Sequence, residues 1–291
     1  TDIYVMQRYL QSEELKRLDI YHFDSWVGMF AERVSELEIG VDVNRFRIAT
    51  RFSKFHNLPE LAVLLYEITD FYQVDKTNGI PQMNGYRDVV IKKTNAFKRF
   101  LFQIAERADY VQKGYISRKD DNMLKVTTDG RKAALDLRLV DDSSAFEKQC
   151  KVAQCAEKIY EIYQKTQSAK LTQLVFCDVS APKPEFNIYD EMKRILLEKG
   201  ILKEENAYIH DAKTDAQRNE LFQKVQKGEI RVLLGSTFKL GIGVNVQNKL
   251  IALHHLDVPW RPADMIQREG RILRKGNENE EVFIYRYIAE G

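Results

Sequence analysis

The sequence predicts an α/β fold, a parallel sheet with helices on both faces, preceded by a mostly helical region. Three observations predict it. From residue 171 onward, short apolar runs alternate with amphipathic stretches. Those stretches open at capping residues and close at glycines. Before residue 140 the apolar residues recur mainly at three- and four-residue steps. Apolar runs joined by helices argue strands buried on both faces. The chain therefore divides near residue 140, into residues 1–140 and 141–291.

In the first part, Leu58-Pro59-Glu60 ahead of LAVLLYEITDFYQV marks a helix start, with proline in the first turn. Gly79-Ile80-Pro81 and Asn84-Gly85 mark loops. Residues 93–111 carry Phe97, Leu101, Ile104, Ala105 and Ala108 on one helical face. In the second part, Ser144 with Glu147 three residues on is a capping-box pattern. It predicts a helix from there to about Lys165, burying Phe146, Cys150, Ala153, Ile159 and Tyr163. Strands are expected at 171–179, 207–211, 230–236, 250–258 and 282–288. Helices are expected at 187–200, 214–228 and 262–276, with Thr214 as an N-cap and Gly200, Gly228 and Gly276 as stops.

The 291 residues suggest two domains at about 100–200 residues each. With 44% hydrophobic and 30% charged residues and only 14 Gly and 6 Pro, collagenous and low-complexity classes are excluded. No apolar run reaches the ~18 residues of a membrane helix, and no secretory signal opens the chain. A start at Thr1 without Met reads as a fragment or processed chain. Cys150, Cys155 and Cys177 form no CxxC, so a reduced cytoplasmic setting and no metal site are expected.

The net charge of +2 conceals a basic stretch. Residues 92–132 hold eleven Lys and Arg against five Asp and Glu. A strip facing nucleic-acid phosphates, led by Lys98 and Arg99, is one reading, and a solvated surface is the other.

Two segments carry chemistry. The first follows the run IRVLL: Gly235, Ser236, Thr237, Lys239, Gly241, Gly243 and on to Gln247. Ligands of open α/β sheets bind beyond the carboxyl ends of strands. Glycines there let backbone approach phosphate, hydroxyls donate, and Lys239 adds charge. Plain turns are the other use of such glycines. The second is the stretch from Asp264 to Arg274. Gln267, Arg271 and Arg274 stand at i, i+4 and i+7, one face of a helix, where two guanidinium forks suit a triphosphate. A salt-bridged surface with Asp264 and Glu269 is the alternative. Gly270 inside that helix costs about 1 kcal/mol against Ala and argues for a packing or access reason. His254 and His255 are adjacent in a strand and point to opposite faces, which disfavours a metal pair. Trp260 serves either to stack on a ring or to anchor a loop.

These segments, in this order, resemble the second RecA-like domain of superfamily 2 helicases, in the Swi/Snf-like branch. LVFCDV resembles its first strand motif and YIHDAKTDAQRNELFQKVQKG the next. VLLGSTFKLGIGVNVQ resembles motif V, and LHHLDVPWRPADMIQREGRILRKGN the stretch leading into motif VI. The resemblance covers roughly residues 170–289. Upstream, YVMQRYL, HFDSW, RFSKFHNLPEL and DNMLKVTTDGRKAALDLRLV resemble the region between the motor domains of large bacterial helicases, some fused to adenine-specific DNA methylases. Lys275-Gly276-Asn277 replaces the usual Gly-Gln ending, and Arg261 replaces the usual Asn between Trp260 and Pro262. Both set the chain apart from nucleosome remodellers.

The resemblance implies an ATP-dependent DNA helicase or translocase. Arg271 and Arg274 would be arginine fingers and Gln267 would position them. Gly241 and Gly243 would line the nucleotide. Ser236, Thr237, Lys239 and His210 would hold the backbone of DNA, which would be duplex and bound without sequence specificity. No GxxxxGK[ST] loop and no Asp-Glu metal motif occurs in the sequence. The lysine and the Mg²⁺ carboxylates that serve ATP are therefore expected on an upstream RecA-like domain of the same parent chain, and this chain alone is expected to be inactive. Two other readings stand beside this one. A nucleic-acid-binding or partner-docking module would have no evident use for the Gln267/Arg271/Arg274 set. A nucleotide enzyme such as a kinase would need the missing phosphate loop.

Overall fold

The computed structural model describes residues 2–39, 46–70, 79–117, 119–240 and 244–290. The chain forms two compact units, residues 1–75 and 76–291. The division expected near 140 falls inside the second unit.

The first unit comprises α1 (Asp2–Leu10), α2 (Ser12–Arg17), α3 (Phe23–Phe30), β1 (Ala31–Ile39), β2 (Phe46–Phe55) and α4 (Leu58–Tyr66). β1 and β2 pair antiparallel. This ribbon was not legible in the sequence, because AERVSELEI puts charges on alternate and adjacent positions alike and no face reads as buried. The core gathers Tyr4, Leu15, Ile20, Trp26, Phe30 and Leu61. The Trp26 indole N–H donates to Gln7 Oε1 at 2.8 Å, so the one polar atom of the core tryptophan is satisfied.

The second unit runs β3 (Gln82–Ile91), α5 (Asn95–Lys113), α6 (Met123–Leu135), α7 (Lys151–Lys165), β4 (Thr172–Phe176), α8 (Ile188–Glu198), β5 (Asn206–Tyr208), α9 (Asp215–Lys227), β6 (Val232–Gly235), α10 (Thr237–Leu240), β7 (Leu250–His255), α11 (Pro262–Glu269) and β8 (Glu281–Ala289). Its six strands form one sheet in the order β3-β8-β7-β4-β6-β5, parallel at every pairing. The five expected strands are β4 to β8. The sixth, β3, lies where Asn84-Gly85 marks a loop. Gly85 adopts φ +77°, and the register with β8 shifts between Met83 and Tyr86. A turn dipeptide has become a strand irregularity.

Helices cover both faces. On one, α7 and α8 bring Val152, Cys155, Ile159, Met192 and Leu196 onto Val175, Val232 and Ala252. On the other, Phe222 and Val225 of α9, with Leu240, Val244 and Ile272, cover Leu174, Leu233 and Leu253. Burial of Cys155 and Cys177 agrees with a packing role.

α9 begins and ends as its residues dictate. Thr214 and Gln217 exchange both capping-box bonds, and Gly228 closes the helix at φ +77°. α7 differs from expectation. The oxygens of Asp141 take the Ser143 amide and the hydroxyls of Ser143 and Ser144. That closes a turn instead of a cap, because the Asp141 carboxylate, three residues before Ser144, engages the hydroxyl that the capping box would need. The helix then starts at Lys151 with Cys150 at its N-cap.

Candidate functional site

The site lies beyond the carboxyl ends of β4, β6 and β7. Two of these strands continue to a single carboxylate, Asp178 and Asp257, and the third to Ser236 and Thr237. Between them sits Arg268 of α11, 0% exposed. Its Nη2 donates to Asp178 Oδ2 at 2.7 Å and to Asp257 Oδ1 at 3.0 Å. Its Nη1 donates to the Asp257 carbonyl at 2.8 Å, and its Nε to Thr237 Oγ1 at 2.7 Å. Thr237 in turn donates to Asp178 twice, from its amide and from its hydroxyl, each at 2.6 Å. Asp257 Oδ2 accepts the amides of Asp178 and Val179 at 2.6 and 2.7 Å. A buried guanidinium is tolerated only when its charge is balanced and its donors are used, and here both conditions hold. Burial works to raise the Asp178 carboxyl, but the Thr237 bonds and the Arg268 charge outweigh it and hold it below the usual carboxylate range.

Arg268, Asp178 and Asp257 were not singled out in the sequence. The signal was present: a lone Asp shortly after each of two largely apolar runs of a parallel sheet marks the edge where ligands bind.

α11 is shorter than expected. It ends at Glu269, with Gly270 as its C-cap at φ −62°. Arg271 and Arg274 therefore lie beyond the helix, and the shared face with Gln267 does not exist. They converge by another route. Asn277 Nδ2 donates to the carbonyls of Leu250 and Ile272, which folds the chain back after the helix. Nη1 of Arg271 and Nη1 of Arg274 then both donate to the Val244 carbonyl, at 3.0 and 3.1 Å. Burial, and then the charge of Arg274, push the Arg271 guanidinium down from its ordinary value. Two cations on one neutral acceptor make a place where an anion is electrostatically favoured. Gln267 is exposed on α11. Glu269 is held by the Tyr86 hydroxyl at 3.1 Å and lies 3.3 Å from His255 Nε2.

Gly241 and Gly243 lie outside the described residues. Gly235, which precedes Ser236, has a packing reason. A Cβ there would stand 2.4 Å from Leu240 Cδ1 and 2.7 Å from Ile209 Cγ2. Ser236 accepts the Leu240 amide at its carbonyl, at 2.9 Å, and begins the single turn of α10. Lys239 is half-buried on that turn. His210 sits in a 3-10 turn after β5, its ring edge-on to Tyr189 at 5.1 Å. Burial and the nearby Lys239 lower its pKa. Thr237, Ser236, Lys239 and His210 thus share one end of the sheet. Lys98 and Arg99 are exposed near the start of α5. The rest of the basic stretch is partly neutralised in place. Arg107 pairs with Asp121 and Asp129, Lys113 with Asp109, and Lys125 donates to two backbone carbonyls. Arg131 donates to the Val258 carbonyl and stacks 4.6 Å from the ring of Trp260, which is 64% exposed.

The two histidines do face opposite ways. His255 stacks on Phe176. His254 is enclosed by Tyr285, Tyr287 and Gln173. Gln173 Nε2 donates to the Ile159 carbonyl, so its Oε1 must accept from His254 Nε2. His254 is then the neutral Nε2–H tautomer, with Nδ1 accepting from Tyr287. Among the described residues, no three His, Cys, Asp or Glu gather as metal ligands. No described helix is long and apolar enough to cross a membrane.

Comparison with known proteins decides the domain type. Residues 154–276 match the family of the helicase conserved C-terminal domain. Those residues are a helicase C-terminal domain. Strands β4 to β7 of the six-stranded parallel sheet lie within them, and the resemblance read from the motifs is upheld at the level of a helicase C-terminal domain. Residues 1–73 match a probable helicase domain, over nearly the whole first unit. Defense against restriction protein B of Escherichia phage P1 is 31% identical over 84 residues, 26% of this chain and 4% of that protein. Among solved structures, the C-terminal domain of the Sulfolobus solfataricus SWI2/SNF2 ATPase is 15% identical. That match covers 71% of this chain and 79% of the other at a TM-score of 0.47. The helicase MrfA, solved bound to DNA, is 16% identical, covering 46% of this chain and 18% of MrfA at 0.35. The chain thus spans only a small part of the phage protein and of MrfA.

Proposed function

We propose that this helicase C-terminal domain is half of an ATP-dependent DNA translocase of superfamily 2, completed by an upstream RecA-like domain of its parent chain. The observation that carries the reading is the convergence of Arg271 and Arg274 on Val244, on a domain of helicase type. The donor set fits a polyphosphate, since guanidinium forks match phosphate oxygens and cannot lose their charge. ATP would lie between the two domains. Arg271 and Arg274 would leave the Val244 carbonyl for the γ-phosphate and spread its developing charge, and Gln267 would steady them. Gly241 and Gly243 would line the nucleotide. The carboxylates for Mg²⁺ and the phosphate-binding lysine would come from the upstream domain.

Ser236, Lys239 and His210 at the sheet end, with Lys98 and Arg99 on α5, would grip duplex DNA through its phosphates, without reading sequence. The free cysteines suit the reducing cytoplasm. ATP turnover tests the proposal, measured with and without duplex DNA, for this chain and for a protein extended upstream by a full motor domain. Turnover in the longer protein alone, stimulated by DNA, is the expected result. No turnover in either folded protein would leave a nucleic-acid-binding or docking module.

A further inference from the structure

Thr237 has two hydrogen-bond donors, and Asp178 takes both. Its oxygen also accepts from Arg268. The residue expected to donate to a DNA phosphate is therefore already saturated, and it can reach a phosphate only by releasing Asp178. Release is not a local event. Asp178 Oδ2 accepts from Thr237 Oγ1 and from Arg268 Nη2. A carboxylate that loses its Thr237 donors keeps Arg268 as its protein donor, with water reaching its 29% exposed side chain. Arg268 has no solvent to turn to, and its remaining partners on that side are the Asp257 carboxylate, the Asp257 carbonyl and His255 Nδ1. The Arg271 amide donates to the Arg268 carbonyl at 3.1 Å, so the first of the paired arginines hangs directly from this residue.

We infer that Arg268 is a positioning residue that couples phosphate capture at Thr237 to the placement of Arg271 and Arg274, with Asp178 as the acceptor that Thr237 must release. The inference rests on the reading of the chain as half of an ATP-driven motor. It gives Arg268 a task that neither the DNA nor the nucleotide needs to touch. It also separates two quantities that a purely structural arginine would move together. Weakening the hold of Asp178 on Thr237 frees Thr237 for DNA, so DNA affinity is kept or improved. The same change cuts the link, so DNA no longer accelerates ATP turnover.

The test uses the full parent protein carrying Asp178→Asn, Arg268→Lys or no change, and reads ATP turnover without DNA, turnover at saturating DNA, and the DNA concentration giving half stimulation. Stimulation should fall by about ten-fold or more in both variants, a size usual for coupling between sites. DNA-free turnover should fall by less than the DNA-stimulated rate, and half-stimulation should move to equal or lower DNA concentration. Variants stimulated like the unchanged protein overturn the inference and leave the motor reading intact. Loss of stimulation together with weaker DNA binding makes these residues part of the grip and also overturns it. An unchanged protein with no turnover overturns the motor reading, and this inference with it. If neither variant folds, hydrogen exchange of the unchanged protein decides. DNA should alter protection at residues 236–239 and 268–274 together, and a change confined to the first segment would refute the coupling.

Discussion

Arg271 and Arg274 place their Nη1 atoms on one acceptor, the Val244 carbonyl oxygen, at 3.0 and 3.1 Å. Two guanidinium charges are thus gathered by the backbone of the segment that follows Gly241–Gly243. In the parent protein, Arg271→Ala should lower ATP turnover by about 10³–10⁵, the range for arginine fingers. DNA affinity should be retained. Turnover equal to that of the unchanged protein would remove the finger assignment.

Lys98 and Arg99 are exposed on α5, whereas Arg107 and Lys113 are paired in place. If the first two contact phosphates, Lys98→Ala/Arg99→Ala should reduce the slope of log affinity against log salt by about 2, roughly one per phosphate contact. A titration at several salt concentrations reads this directly. An unchanged slope takes α5 out of the interface.

Gly235→Ala would drive a methyl group into Leu240 and Ile209. Overpacking of this kind costs about 1–3 kcal/mol, and it falls on the turn that carries Ser236 and Thr237. A lower unfolding midpoint together with weaker DNA binding is expected. An alanine variant as stable as the unchanged protein would mean that the turn yields freely.

His254 is held neutral. Burial, then His255 and Lys158, push its pKa down to about 3. His255 is lowered too, first by burial. Between the ordinary histidine value and these lowered ones, the unfolded chain binds protons that the folded one refuses. Stability therefore falls as pH drops below about 6.5, by on the order of 1 kcal/mol per pH unit for each histidine. Thermal melts from pH 7 to 5 should show this loss, above the range where carboxylates titrate. His254→Gln should flatten it by about one proton. An identical slope in the variant would place the proton uptake elsewhere.

Arg231 is 1% exposed and donates to the carbonyls of Leu171, Tyr163 and Thr166, beneath the end of α7. It satisfies acceptors that the helix end leaves open. Arg231→Met should cost about 3 kcal/mol, because several buried carbonyls lose their donor. Denaturant unfolding measures it, and a loss below half that figure would mean that water takes over.

The second unit was legible where local and tertiary signals agree. Thr214, Gln217 and Gly228 bound α9 as their chemistry requires, and β4, β6 and β7 are buried from end to end. What stayed hidden depends on partners distant in sequence. Nothing near Asn84-Gly85 announces that β8 will pair with it. The Arg268 network joins residues from 178 to 268, and its members look like ordinary surface charges until the strands align them. The helical register carried on from Pro262 suggested one face for Gln267, Arg271 and Arg274. Periodicity cannot see that Asn277 reaches back to Leu250 and ends that register early.

β3 has a single neighbour in the sheet, β8, and 198 residues separate Asp88 from its partner Arg286. A ribosome adding about 5–20 residues per second releases β3 roughly 10–40 s before β8 exists. For that interval an extended segment with exposed Tyr86 and Val90 has no strand to pair with. Everything between can assemble first, since β4 to β7 are made and paired without either end. β8 thus admits β3, and a nascent chain stalled before residue 281 would leave β7 as the open border of this sheet.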